Sequence, residues 1–197
     1  MSEIAEVSAG GVRLHDRHRP TMLAVGTTVW LASELMFFGG LFASYFTIRA
    51  ATPVWPPAGV KLDTLQAGLF TVVLVASSAT MQSAARALGG ERRALARRWI
   101  VLTLALGVVF IANQGYEWSH VPFSASSNAY GSLFFLMTGF HGLHVIGGLV
   151  AMLAVLLRMS GSQTDPGEGP VLEVVTYYWH FVDVVWLALY ATLFLLK

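Results

Sequence analysis

Apolar residues run in long stretches along this chain, separated by short segments of proline, glycine, serine and charged residues. The stretches cover approximately 21–48, 64–88, 99–116, 130–157 and 171–196. Each is close to the roughly 20 residues that a helix needs to cross the hydrocarbon core of a bilayer. The breaks are chemically distinct. Pro53, Pro56, Pro57 and Gly59 follow the first stretch and an arginine-rich turn over 89–98 follows the second. A serine-rich segment with Pro122 follows the third, and a polar loop over 161–170 follows the fourth. The pattern predicts an all-α polytopic membrane protein, a bundle of five transmembrane helices over 21–197 behind a polar tail over 1–20. No internal repeat and no separate soluble domain is visible.

Composition sharpens this picture. Of 197 residues, 55% are hydrophobic and 12% charged, about half the charged share of an ordinary soluble domain. The net charge of +1 gives no field that would point to nucleic acid. Cysteine is absent, so disulfides, iron-sulfur clusters and thiolate-ligated copper or zinc are excluded within this chain. The tail lacks the apolar core and cleavage site of a secretory signal, so the first apolar stretch is expected to serve as the insertion signal.

Lysine and arginine set the expected orientation, because short cytoplasmic loops carry the excess of both. With a cytoplasmic N-terminus, the inner side holds Arg13, Arg17, Arg19, Arg86, Arg92, Arg93, Arg97, Arg98 and Arg158, and the outer side Arg49, Lys61 and Lys197. The N-terminus is therefore expected inside and the C-terminus outside. Trp30, Trp55, Trp99, Trp118 and Tyr116 fall near segment ends, as interfacial aromatics do, while Trp186 lies deeper. Small residues four apart (Gly39 with Ala43, Gly40 with Ser44, Ala76 with Thr80, Gly147 with Ala151) read as generic bundle packing.

The candidate chemistry lies in polar groups that share one depth. Glu34 falls near the middle of the first segment, His141 and His144 near the middle of the fourth, and His180 and Asp183 near that of the fifth. An ionisable group at that depth costs roughly 2.5–3.5 kcal/mol on insertion scales, so these groups are expected to face inward and satisfy one another. His141 and His144 are three apart and share a helix face, as do His180 and Asp183. Two readings follow: a metal or haem site, or an interhelical hydrogen-bond network. The network is preferred, because buried polar residues in membranes usually pair and imidazole both donates and accepts. Glu34 is expected to be protonated or hydrogen-bonded to a histidine of the fourth or fifth segment, or to carry protons. Glu117, at the outer end of the third segment, reads as a hydrated helix-end carboxylate. His15, His18 and His120 read as solvated.

These residues lie in stretches that resemble a known family. SELMFFGGLFASYF (33–46), QGYEW (114–118), AYGSLFFLMTGFHGLHVIGG (129–148) and YYWHFVDVVWLALY (177–190) resemble four helices of subunit III of the haem-copper cytochrome c oxidases. The last two matches are specific, since they combine rare membrane histidines with aromatic and glycine positions in fixed order. The resemblance is to the short five-helix bacterial form. Longer members have seven helices, and this chain aligns from their third, so the lipid-filled cleft beside their first two is not carried over.

The resemblance implies a bacterial plasma-membrane complex that reduces dioxygen to water and pumps protons in aerobic electron transport. It implies that haem and copper reside in partner subunits I and II, with no cofactor in this chain. It implies a non-redox subunit that supports the stability and proton uptake of subunit I. Glu34, Glu117, His141, His144, His180 and Asp183 then carry structural or proton-related roles, with no catalytic and no metal-binding residue. The implied partners are subunits I and II and membrane lipids, with a larger respiratory supercomplex as a further setting. The alternatives are subunit III of a quinol oxidase, whose electron donor also docks elsewhere; a stand-alone proton or ion transporter using Glu34 and Asp183, which the lack of an inverted repeat disfavours; and a small haem- or metal-binding membrane protein.

Overall fold

Asp63 and Asn128 decide where two of the helices begin. Each side chain accepts a hydrogen bond from the backbone N–H three residues on, Gln66 at 2.9 Å and Gly131 at 2.8 Å, which satisfies one of the donors that a helix start leaves free. The computed structural model describes residues 22–161 and 167–196. The polar tail with His15 and His18, the first residue of the expected bundle and Lys197 fall outside the described residues. The helices are α1 Met22–Ala51, α2 Thr64–Gly89, α3 Arg93–His120, α4 Ala129–Arg158 and α5 Glu168–Tyr190, the last running on into a π turn Ala191–Leu195. All five are long and apolar enough to cross a membrane.

The third helix begins at Arg93, well before the apolar stretch that marks it in the sequence. Hydropathy detects only the lipid-buried part of a helix, whereas arginine is a good helix former and extends the helix past it. The turn between α2 and α3 is tight because Arg92 N–H reaches Ala87 O at 2.9 Å and Glu91 N–H reaches Leu88 O at 2.9 Å. This is a Schellman closure, with Glu91 in the left-handed region at φ 58° where glycine is usual.

Helix α5 is the hub: it packs on α1, α2 and α4, while α3 bridges α2 and α4. At its heart sits Trp179, fully buried, with its indole N–H donated to Ser77 Oγ at 2.9 Å. The ring fits because two glycines face it. A Cβ on Gly148 would lie 2.7 Å from the indole, and one on Gly107 would lie 3.0 Å from it. Trp186, one face-repeat further along α5, donates to Thr71 Oγ1 at 2.9 Å.

The small-residue pairs of the first segment do not join helices within this chain. A Cβ on Gly39 or Gly40 would meet nothing within 4 Å, and Ala43 and Ser44 are exposed. Helix α1 has neighbours on one side only, α4 and α5, so its small-residue face points away from the bundle.

The two ends of the bundle differ in charge and in fastening. Arg86, Arg92, Arg93, Arg97, Arg98 and Arg158 flank one end, and Arg49 and Lys61 the other. At the arginine-rich end Arg93 grips Glu168 in a fork, Nη2 to Oε1 at 2.6 Å and Nε to Oε2 at 3.1 Å, and donates from Nη1 to Gly161 O at 3.0 Å. At the other end side chains meet the backbone carbonyls of the π turn and of Leu196 just beyond it. Tyr45 donates to Thr192 O at 3.2 Å, Tyr130 to Leu193 O at 3.3 Å, and Arg49 to Leu196 O at 2.7 Å.

Candidate functional site

The polar residues of the bundle centre do not converge on one point. On a helix of 3.6 residues per turn, Tyr178 and Phe181 lie nearly opposite His180 and Asp183 on α5. The first pair faces α1 and α4, and the second faces α2. The residues read together from the sequence are therefore divided among separate places.

The first place lies between α1 and α4. Glu34 Oε2 is 3.2 Å from His144 Nε2, and His144 Nδ1 is 2.7 Å from Phe140 O. A carbonyl can only accept, so Nδ1 carries a hydrogen. Nε2 then either accepts from a protonated Glu34 or, as imidazolium, donates to the carboxylate. In both arrangements one proton occupies the link and the pair is neutral overall. The imidazole edge packs on Phe38, the His144 carbonyl accepts from Tyr178 at 2.8 Å, and Tyr178 stacks on Trp30 at 5.4 Å. The side chains of His144 and Glu34 remain 15% and 23% exposed, so the pair sits at the rim of the bundle.

The test of this pair is a two-way substitution. Glu34→Gln keeps a donor for Nε2 and is expected to leave this chain as firmly held in its purified complex as the wild type. Glu34→Ala leaves Nε2 without a partner, a loss of about 1–3 kcal/mol, and is expected to lower the temperature at which the chain dissociates. Equal dissociation temperatures for the two variants would remove the hydrogen bond as the reason for Glu34.

The second place lies between α2 and α5. Ser78 Oγ contacts His180 Nδ1 at 2.9 Å and also hydrogen-bonds Asp183 Oδ2. His180 Nε2 donates to Gln82 Oε1 at 3.1 Å. Asp183 is 6% exposed, and its Oδ1 is buried without a partner among the described residues.

His141 belongs to neither cluster. It is fully buried, its ring centroid 5.0 Å from that of Trp186 and 6.0 Å from that of Phe110, and neither nitrogen has a partner among the described residues. Although three residues from His144, it points to the α3 and α5 side while His144 points to α1. Glu117 lies in the last turn of α3, partly buried, at the end of the bundle that also holds Asp63. His120, next to it, is exposed and bonded to Tyr116 O and Ser119 Oγ.

The partners on α2 were not legible in the sequence. Thr71, Ser77, Ser78 and Gln82 supply the α2 side-chain groups bonded to Trp186, Trp179, His180 and Asp183 of α5. A serine or threonine in a membrane helix satisfies itself on its own backbone, as Thr71 does on Ala67 O at 2.7 Å and Ser77 on Leu74 O at 2.5 Å. Its presence thus predicts no partner. The one available signal was spacing, since Thr71, Ser78 and Gln82 recur at helical repeat. Among the described residues, no group of three or more His, Asp or Glu side chains is placed to hold a metal ion.

Comparison with known proteins agrees with this architecture along nearly the whole chain. Residues 6–197 match the family described as cytochrome c oxidase subunit III. The chain is 49% identical over 189 residues to the probable cytochrome c oxidase subunit 3 of Nocardia farcinica, covering 94% of this chain and 93% of that one. It is 49% identical over 193 residues to the probable cytochrome c oxidase subunit 3 of Mycobacterium leprae, with the same shares covered. To the cytochrome c oxidase subunit 3 of Synechocystis it is 37% identical over 186 residues, covering 92% of this chain and 79% of that one. With five membrane-spanning helices and a match from one end of the bundle to the other, the chain belongs to the cytochrome c oxidase subunit III family.

Proposed function

We propose that this chain is the non-redox third subunit of a bacterial cytochrome c oxidase of the plasma membrane. It packs against the haem- and copper-bearing subunit I, with subunit II in the same complex, and supports the durability and proton uptake of subunit I. The observation that carries this reading is the use made of the midplane polar groups. Glu34, His144, His180 and Asp183 are engaged in side-chain bonds between helices instead of gathered as a ligand set. In this reading chemistry on dioxygen belongs to the partner subunits, and this chain contributes a bundle stitched by side-chain hydrogen bonds. The names borne by its relatives favour cytochrome c over quinol as electron donor for the complex.

The N-terminus is cytoplasmic in this reading. Among the described residues, Arg86, Arg92, Arg93, Arg97, Arg98 and Arg158 flank the end assigned to the cytoplasm, against Arg49 and Lys61 at the other.

Affinity purification of the tagged chain in mild detergent tests both points. The expected result is co-purification with haem- and copper-bearing subunits at a fixed ratio, and no stoichiometric haem, copper or zinc in the chain once it is separated. Recovery of the chain alone, or with metal lost on changing His141 or His144 to alanine, would overturn the assignment. In the same strain, a single cysteine at Ser126 is expected to react with an impermeant reagent in intact cells. One at Ser160 is expected to stay protected, and the reverse pattern would invert the topology.

A further inference from the structure

Ser78 touches two partners with a hydroxyl that carries one hydrogen. Its Oγ is bonded to Asp183 Oδ2 and lies 2.9 Å from His180 Nδ1. It can donate to only one of them. The other contact needs a hydrogen from the partner, either the carboxyl of Asp183 or Nδ1 of His180. His180 Nε2 is already committed as a donor to Gln82 Oε1 at 3.1 Å. Two arrangements therefore fit the same heavy-atom positions. In one, neutral Asp183 donates to Ser78 and Ser78 donates to neutral His180. In the other, imidazolium His180 donates to Ser78 and Ser78 donates to the Asp183 carboxylate.

The geometry points to a proton relay, Asp183–Ser78–His180, that holds one exchangeable proton in the bundle and opens toward the arginine-rich end past Gln82. Passing between the two arrangements moves two hydrogens. The Asp183 O–H bond breaks as a Ser78 O–H bond forms, and the original Ser78 O–H bond breaks as an N–H bond forms on His180 Nδ1. Ser78 ends as it began, Asp183 gains a negative charge and His180 a positive one, and no electron leaves the cluster.

The direction of exchange follows from what lies beyond each end. Oδ1 of Asp183 is buried without a partner among the described residues, so no described side chain continues the relay beyond it. At the other end Gln82 lines a groove of about 470 Å³ between the last turns of α2 and the first turns of α5, together with Arg86, Glu173, Thr176 and Tyr177. An amide oxygen does not pass a proton on. Release therefore has Gln82 turn aside and a water molecule in the groove take the Nε2 hydrogen of imidazolium His180. Glu173, which lines the same groove and accepts from Tyr177 at 2.6 Å, is the carboxylate there to receive it. The relay deepens the proposed part in proton uptake and rests on that reading for its use, whereas its chemistry rests on the α2–α5 contacts alone.

Infrared difference spectroscopy of the intact purified oxidase tests it. The expected wild-type result is a protonated-carboxyl C=O band that is lost in Asp183→Asn and shifts promptly on transfer to D₂O. Ser78→Ala is expected to slow that shift severalfold, because the hydroxyl that links Asp183 to His180 is gone, and Ser78→Thr to restore it. His180→Gln, which cannot take a proton at the Nδ1 position, is expected to slow it equally and stands in where Ser78→Ala fails to assemble. Absence of an Asp183-dependent band, or exchange as fast in Ser78→Ala and His180→Gln as in wild type, overturns the relay. Oxygen turnover, measured on the same samples, reads the proposed function separately. Slowed exchange with unchanged turnover leaves the relay standing and removes its part in proton uptake.

Discussion

Gly148→Val is expected to prevent this chain from accumulating in its complex, and Gly148→Ala to weaken it substantially. The first carbon of any side chain at Gly148 would lie 2.7 Å from the Trp179 indole and 3.2 Å from the Tyr178 ring. The indole is fully buried, and its N–H is held by Ser77 at 2.9 Å. Forcing atoms into a filled core costs about 1–3 kcal/mol when neighbours can shift, and a pinned, fully buried ring places this site at the upper end. The measurement is the detergent-unfolding midpoint of the purified complex, with membrane abundance beside it. Gly40→Val, on the open face of α1, is expected to leave the packing of this chain's own helices intact. Wild-type stability in Gly148→Ala would show that the ring yields, and the close-packing account of α4 against α5 would fall.

The second large effect is expected at the arginine-rich end. Glu168 is 2% exposed and receives two hydrogen bonds from Arg93. Arg93→Ala leaves that carboxylate buried without its cation, and breaking a buried pair in this way costs about 3–5 kcal/mol. The start of α5 is then expected to detach from the start of α3, read as faster proteolysis in the loop between α4 and α5. Arg93→Lys keeps the charge and loses the fork, so an intermediate effect is expected, since one ammonium cannot hold both carboxylate oxygens and Gly161 O in the same plane. The paired change Arg93→Met with Glu168→Gln should recover much of the loss, because the charge left stranded by the single change is gone. Proteolysis rates that are the same in wild type and Arg93→Ala would remove the fork from the account of how α5 is anchored.

Both predictions depend on residues that the sequence did not single out for these roles. Gly148 lies inside a recognisable motif, but the small-residue pairs that spacing brought forward included Gly39 and Gly40, where an added Cβ would meet nothing within 4 Å. Spacing reveals that a helix has a narrow face without revealing whether another helix of the same chain lies against it. Arg93 and Glu168 are 75 residues apart in sequence, and Arg93 stands in a run of arginines whose charge alone reads as topology. Only the approach of the first turn of α5 to the first turn of α3 turns one of them into a clamp.

The sequence by itself determined the number of spanning helices and the family to which the chain belongs. These follow from hydropathy and from local motifs, and lipid enforces both, because an unpaired backbone or charged group in hydrocarbon costs several kcal/mol wherever the chain goes. It also brought forward the midplane histidines and carboxylates as candidates, since such groups are rare at that depth whatever their partners. The tertiary structure alone decided who pairs with whom. Glu34 meets His144, while His180 and Asp183 meet Ser78 on the opposite side of α5, and His141 is enclosed by Phe110 and Trp186. Depth along the membrane normal can be counted from a segment's ends, but rotation about each helix axis is set by side-chain packing. A turn of 100° per residue places residues of one depth on quite different neighbours.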